Sequence, residues 1–163
     1  MNKKFWLVIV IFTLSYFGVY AQENNKTKFD YSNITEMSFA VNPLRPYLSC
    51  EFVSVHGVSI NKNHVIGLGG GIGGNCLDNE GVLCPLFLNY RYRFNVDQKL
   101  SPHINIALGT VLYDGGEGLY SSLIGGFSVG VFSFSGGFFF YAYEVGGSKV
   151  YPFGVNFRIG FDF

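Results

Sequence analysis

The side chains of this chain that are best suited to chemistry are charged residues set at alternate positions within apolar segments. Arg91 and Arg93 alternate with tyrosines, and Arg158 and Asp162 fall between apolar residues near the end of the sequence. Guanidinium groups pair well with carboxylates, and a charge buried without a partner is costly. The pattern therefore predicts an interior network of ion pairs. Its predicted members are Glu36, Glu51, Arg91, Arg93, Glu144, Arg158 and Asp162.

Other residues that could do chemistry form weaker patterns. Ser54 and His56 share one face of a strand, but their spacing is wrong for good contact and no acid is paired with them, so nucleophilic catalysis is not predicted. The three histidines show no metal-ligand spacing, and no metal or other cofactor is predicted. The glycine-rich segment 67–74 lacks the lysine and the helix of a phosphate loop. Its alternating glycines are expected to make room for the arginines opposite them.

The chain has three cysteines, Cys50, Cys76 and Cys84, and their redox state depends on the cellular compartment. Cys76 and Cys84 bracket one predicted loop, and an exported protein meets an oxidising environment, so a disulfide across that hairpin is plausible. The alternative is that both remain thiols, and the sequence does not decide between the two. Cys50 is then left over as a small apolar side chain on a strand.

The elements that position these residues are β-strands. From Tyr151 to Phe163 every odd position is apolar and every even position is small or polar, which is the period of a strand with one apolar and one polar face. Similar alternation, interrupted by turn residues, recurs along the chain. It predicts eight strands, over residues 35–42, 47–58, 62–73, 83–94, 102–113, 120–132, 135–145 and 151–163.

These strands are expected to close into an antiparallel barrel. Alternation alone would also fit a soluble barrel with its apolar face inside. Eight strands, however, enclose a space only just wide enough for side chains, and the aromatic face would overfill it, whereas the face of Gly, Ser, Asn and charged residues fits. The sequence therefore predicts an all-β, eight-stranded antiparallel transmembrane barrel, with lipid around its apolar side chains and its first and last strands paired.

Aromatic residues are expected to form the two interfacial girdles of such a barrel. Strand direction places one set at the end of the barrel opposite the C-terminus, called the outer edge. A second set lies at the end that carries the C-terminus, called the inner edge. These residues are Tyr113, Tyr120, Tyr143 and Tyr151 at the outer edge, and Tyr92, Phe94, Phe161 and Phe163 at the inner edge.

The first 21 residues are typical of a cleaved secretory signal peptide, because Lys3 and Lys4 precede an apolar run and Ala21 ends a cleavage site. A membrane anchor is the alternative, but the run is short for a spanning helix. Residues 22–34 are predicted to be a flexible leader and residues 35–163 the barrel. Removal of residues 1–21 leaves 142 residues with 9 basic and 11 acidic side chains, a net charge of −2, so no nucleic-acid partner is expected.

The last strand also carries a family resemblance. It resembles the terminal strand of outer-membrane β-barrel proteins, which ends in Phe with apolar residues at every second position, and residues 35–163 resemble small barrels of the OmpA/OmpX type. The resemblance implies a bacterial outer-membrane location, contact with outer-membrane lipid, and recognition of Phe161 and Phe163 by the barrel-assembly machinery. It brings no shared catalytic motif, and fold alone does not fix function.

The predicted function is non-enzymatic, that of a structural or surface-interaction protein whose short loops 74–82 and 114–119 are candidate contacts for an extracellular ligand. Two alternatives stay open. The charge network could gate a narrow, porin-like polar path, although eight strands leave no open channel and mutual neutralisation of the charges is favoured. The other alternative is a lipid-modifying enzyme, as some eight-stranded outer-membrane barrels are.

Overall fold

A computed structural model describes residues 27–42, 47–75, 82–113, 116–145 and 147–163. The predicted signal peptide and residues 22–26 of the predicted leader lie outside these ranges. No helix within the described ranges is long and apolar enough to cross a membrane. The strands are β1 (Phe29–Asn42), β2 (Tyr47–Ile60), β3 (His64–Asn75), β4 (Leu83–Arg93), β5 (Leu100–Tyr113), β6 (Gly116–Val129), β7 (Phe132–Val145), β8 (Ser148–Val150) and β9 (Phe153–Asp162).

The strands form a closed antiparallel barrel. Each strand from β1 to β7 pairs with the next, β7 pairs with β9, and β9 pairs back onto β1. The short β8 pairs with β7 in the register that β9 continues, so β8 and β9 together make the eighth barrel strand. Pro152, which has no N–H to donate, lies at the interruption between them. The predicted eight-stranded barrel, closed by its first and last strands, is confirmed.

The two ends of the barrel differ in their connections. The end called here the turn end carries the links 61–63, 94–99 and 130–131 and the terminal Phe163. At the opposite end, called the loop end, β1 ends at Asn42, β3 at Asn75, β5 at Tyr113 and β7 at Val145. The loops predicted at 74–82 and 114–119 are therefore shorter than expected, because residues 74–75 end β3 and residues 116–119 begin β6.

Most other strand boundaries differ from the prediction by a few residues, and two of the differences have a clear physical reason. β1 begins at Phe29, inside the predicted leader, because its alternation continues there and it stays paired with β2 as far as Ile60. The turn between β6 and β7 lies at residues 130–131 rather than 133–134. Gly130 adopts a φ of +61°, which glycine reaches without steric cost, and it directs the chain back along β7.

Side chains divide cleanly between the two faces of the barrel. On β4, burial alternates residue by residue, with Phe87, Asn89 and Arg91 inside and Leu86 and Leu88 outside. β7 is aromatic on both faces, as Phe138 points outward and Phe139 and Tyr141 point into the lumen. The barrel thus has an apolar exterior and a mixed polar and aromatic interior.

The inward glycines of β3 accommodate an aromatic ring. A Cβ atom added at Gly69 would overlap the ring of Phe87 on the neighbouring strand. The sequence predicted that these glycines make room for arginines. The contact shows instead that Gly69 makes room for Phe87, because Arg91 lies further toward the turn end.

Candidate functional site

Glu36 is the centre of an ion-pair network inside the barrel. Its Oε1 atom lies 2.5 Å from Nη2 of Arg91, and its Oε2 atom lies 3.4 Å from Nη1 of Arg158. Ser133 donates its hydroxyl to Oε1 at 3.4 Å. All four residues are buried, so the pairing compensates charges that have been removed from water.

Asp162 is the second carboxylate of the network. Nη1 of Arg91 donates to its Oδ2 atom at 3.2 Å, and Arg93 donates to its Oδ1 atom. Arg93 also donates to Ser32 Oγ at 3.3 Å. Arg91 therefore bridges the two carboxylates and joins β1, β4 and the last barrel strand.

The network continues toward the loop end through tyrosines. Nη2 of Arg158 donates to Tyr120 Oη at 3.0 Å, and the rings of Tyr120 and Tyr141 lie 5.2 Å apart. Tyr141 donates its hydroxyl to the buried Glu51, which also interacts electrostatically with Arg158. Three guanidinium groups are thus placed near three carboxylates, those of Glu36, Glu51 and Asp162.

Aromatic side chains fill the lumen beyond this point. The Phe87 ring packs 5.0 Å from that of Tyr120, and Phe139 packs 5.7 Å from Tyr141. Near the loop end, Tyr113 and Tyr143 lie 5.1 Å apart. We call the buried members of this set the aromatic plug; they are Phe87, Tyr120, Phe139, Tyr141 and Tyr143.

The predicted site residues fall into three groups. The structure brings together Glu36, Arg91, Arg93, Arg158 and Asp162. Glu51 lies in the same lumen and is joined to them through the tyrosines. Glu144 is not brought to the network: it is exposed near the loop end, where its backbone N–H donates to Tyr113.

The tyrosines of the plug were not predicted to lie in the lumen. Tyr113, Tyr120 and Tyr143 were expected in an outer interfacial girdle, and this is wrong. Tyr120 is 0% exposed, Tyr143 is also buried within the lumen, and Tyr113 lies on the inward face of β5 against Tyr143. One signal could have found Tyr120. It occupies the same face of β6 as Gly118 and Ser122, and that small-residue face is the inward one.

Buried polar groups without a hydrogen-bond partner lie beside the charges and between the charges and the plug. Both amide atoms of Asn89, Oδ1 of Asn105 and of Asn156, and Oγ of Ser122 are buried without a partner among the described residues. Nε2 of His103 shares this property. Buried polar groups are normally satisfied, often by internal water. This middle layer of the lumen is therefore polar and suited to water.

A recess of about 630 Å³ opens at the turn end. Arg93 and Asp162 lie at its base, and Lys62 and Lys99 are at its rim. No group of three or more potential metal ligands occurs among the described residues.

Only one of the two cysteines of the predicted disulfide lies within the described residues. Cys84 is half-buried on β4, and Cys76 lies outside the described residues. The disulfide between them stays a prediction.

Ser54 and His56 are in contact on the outside of the barrel. Ser54 Oγ lies 3.2 Å from His56 Nε2, which corrects the expectation that their spacing prevents good contact. The strand pleat places both side chains outward, and the imidazole bends back toward the hydroxyl. The other ring nitrogen, Nδ1, lies 2.6 Å from the hydroxyl of Tyr31 rather than from a carboxylate.

Comparison with known proteins supports the fold. The sequence matches no known protein-family model and no curated protein. The structure is similar to a crystal structure of Neisserial surface protein A (NspA), with a TM-score of 0.53 and 11% identity over 85% of this chain and 98% of that chain. NspA is an eight-stranded outer-membrane barrel. This chain shares that fold. The finer resemblance to the OmpA/OmpX type stays a prediction.

Proposed function

We propose that this protein is an integral barrel of the bacterial outer membrane with a non-enzymatic role, structural or in surface interaction. The observation that carries the proposal is the apolar exterior. Large apolar side chains on all eight barrel strands are exposed, and Leu68 (69%), Phe138 (65%) and Leu88 (63%) are the most exposed near mid-strand. In water this surface would be unfavourable at about 25 cal/mol per Å², whereas hydrocarbon removes that cost.

A sealed lumen favours a structural role over transport. In the turn-end half of the lumen, ion pairs of Arg91 and Arg158 connect the barrel strands. The aromatic plug fills the loop-end half of the lumen. Because eight strands enclose a space only just wide enough for side chains, these two layers are expected to leave no open channel. What the protein can offer a partner is then its rigid wall and its short links at the loop end, including 76–82 and 114–115.

The turn end is expected to face the periplasm, because short turns are typical of that side of outer-membrane barrels. Phe161 and Phe163 point outward at this end. Their exposure is compatible with recognition by the barrel-assembly machinery, which remains part of the proposal.

A gated conduit is the second candidate function. The polar middle layer, in which both amide atoms of Asn89 and the Oδ1 atoms of Asn105 and Asn156 have no partner within the described residues, favours a hydrated lumen. Conduction would require the ion pairs and the plug to open together. If it occurs, R91A or E51A should change single-channel conductance in a planar bilayer, whereas flat traces at all voltages count against it.

Heat-modifiable migration tests the main proposal. The protein is extracted from purified outer membranes and run on an SDS gel with and without boiling. We expect the unboiled form to migrate differently from the boiled form, because a closed barrel resists detergent unfolding. Recovery of the protein in the soluble fraction, with no effect of boiling on migration, would overturn the proposal.

A further inference from the structure

Five polar side chains contact one another on the outer surface of β1 and β2. We call them the exterior polar cluster; they are Tyr31, Asn33, Thr35, Ser54 and His56. Asn33 Nδ2 lies 3.1 Å from His56 Nδ1, and Thr35 Oγ1 donates to Asn33 Oδ1 at 3.0 Å. Thr35 Oγ1 is also 3.2 Å from Ser54 Oγ. Together with the Ser54–His56 contact, these bonds form one continuous polar patch.

The cluster interrupts an otherwise apolar surface. Phe161 and Phe163 flank it on one side and Leu68 on the other, and Met37 and Phe52 lie beyond it toward the loop end; all five are exposed. The strand pairing of β1 with β2 is continuous from end to end, so these side chains are not needed to complete the sheet. Polar groups on a hydrocarbon-facing surface are costly. Their concentration at one place therefore points to a polar ligand.

The order of the groups along the strands matches the order of groups in a membrane lipid. Tyr31 lies nearest the turn end, Asn33 pairs with the terminal Phe163, and Thr35 lies deeper in the apolar belt. On β2, His56 is level with Asn33 and Ser54 with Thr35. At about 3.3 Å per residue, the β1 column extends about 13 Å along the tilted strand from its first member. Donors thus run from the rim of the barrel into the belt.

A neighbouring pair marks the membrane interface at the same end. His64 Nδ1 lies 2.9 Å from Tyr90 Oη, and the rings of Tyr92 and Phe94 pack edge to face beside it. Aromatic side chains with one polar end favour the headgroup region of a bilayer. The exterior polar cluster therefore starts at headgroup level.

We propose that the exterior polar cluster binds a glycerophospholipid of the leaflet that surrounds the turn end. Tyr31, Asn33 and His56 hydrogen-bond its phosphate, and the hydroxyls of Thr35 and Ser54 bind its ester carbonyls. The acyl chains then lie over Phe52 and the neighbouring apolar wall. This inference rests on the proposed membrane location.

Native mass spectrometry of the folded full chain in detergent micelles tests the proposal. Palmitoyl-oleoyl-phosphatidylethanolamine is titrated in, and the dissociation constant of the first bound lipid is measured. The N33L/H56L variant is expected to bind about tenfold more weakly, equivalent to about 1.4 kcal/mol. The matched control is H64L/Y90F, which removes a similar histidine and tyrosine pair outside the cluster and should bind as the wild type does.

Diacylglycerol, which has the same esters but no phosphate, is the second probe and should bind weakly to every variant. If N33L/H56L does not fold, N33D replaces it, since its negative charge should repel phosphate but not diacylglycerol.

Unchanged phosphatidylethanolamine affinity in the cluster variants, an equal loss in the control, or equal binding of diacylglycerol would overturn the proposal. Folded variants keep their heat-modifiable migration, so loss of the lipid site is distinguishable from failure of the membrane barrel.

Discussion

Among the three arginines of the lumen network, Arg91 makes the most ion pairs with described residues. It contacts Glu36 and Asp162, two carboxylates on different strands, and its side chain is 1% exposed, whereas that of Arg93 is 16% exposed. Removing one partner of a buried ion pair leaves an uncompensated charge and costs about 3–5 kcal/mol. The stability of the barrel should therefore depend on Arg91 more than on Arg93.

We expect R91M to lower the free energy of unfolding by about 3–5 kcal/mol, measured by urea titration of the barrel folded in phosphatidylcholine vesicles. R93M should cost less, because it removes one ion pair instead of two and the Arg93 side chain is partly exposed. The double variant R91M/E36Q should recover part of the loss, since it restores the balance of charges: Arg93 keeps Asp162, and Arg158 keeps Glu51 nearby. The account is contradicted if R93M destabilises as much as R91M.

At the scale of the strands, the turn between β6 and β7 depends on Gly130. Its φ of +61° is a conformation that other residues rarely adopt, although a Cβ atom there would meet nothing within 4 Å. The cost of substitution is thus conformational and not steric. We expect G130A to destabilise the barrel by about 1 kcal/mol in the same urea titration.

Gly125 provides the matched control for this prediction. It lies on the outward face of β6, and a Cβ atom there would approach no closer than 4.0 Å to its nearest neighbour, the His103 carbonyl oxygen. G125A should leave stability unchanged or slightly raise it, because alanine restricts the unfolded chain. Equal effects of G125A and G130A would show that the turn does not depend on the backbone conformation of Gly130.

Strand alternation explains how much of this structure was predictable. β4 and the last barrel strand have one polar and one apolar face, and their charged residues were therefore placed inside correctly. β7 is aromatic on both faces, so alternation could not show which side Glu144 occupies. For the same reason the turn before β7 was predicted at 133–134, whereas it lies at 130–131. Tyr120 was misplaced for a different reason. Tyrosine suits both a packed lumen and a membrane interface, so the residue type does not decide between them. Its place on the small-residue face of β6 indicates the lumen, and its contacts with Arg158 and Phe87 establish it.

For the whole molecule, the central claim is that hydrocarbon surrounds the apolar exterior while the lumen is closed to both lipid and bulk water. The claim explains why a chain with 18% aromatic and only 13% charged residues folds as one closed barrel. It also explains why charges are tolerated inside, as three arginines and three carboxylates neutralise one another there.

Tryptophan quenching in lipid vesicles tests this claim most directly. Trp6 is the only tryptophan of the sequence, and with W6F in place a single reporter is introduced as F157W on the exterior or F139W in the lumen. We predict that brominated phosphatidylcholine quenches F157W strongly and aqueous iodide barely does, and that neither quenches F139W appreciably. Quenching of F157W by iodide but not by brominated lipid, or quenching of F139W by lipid, would contradict the account.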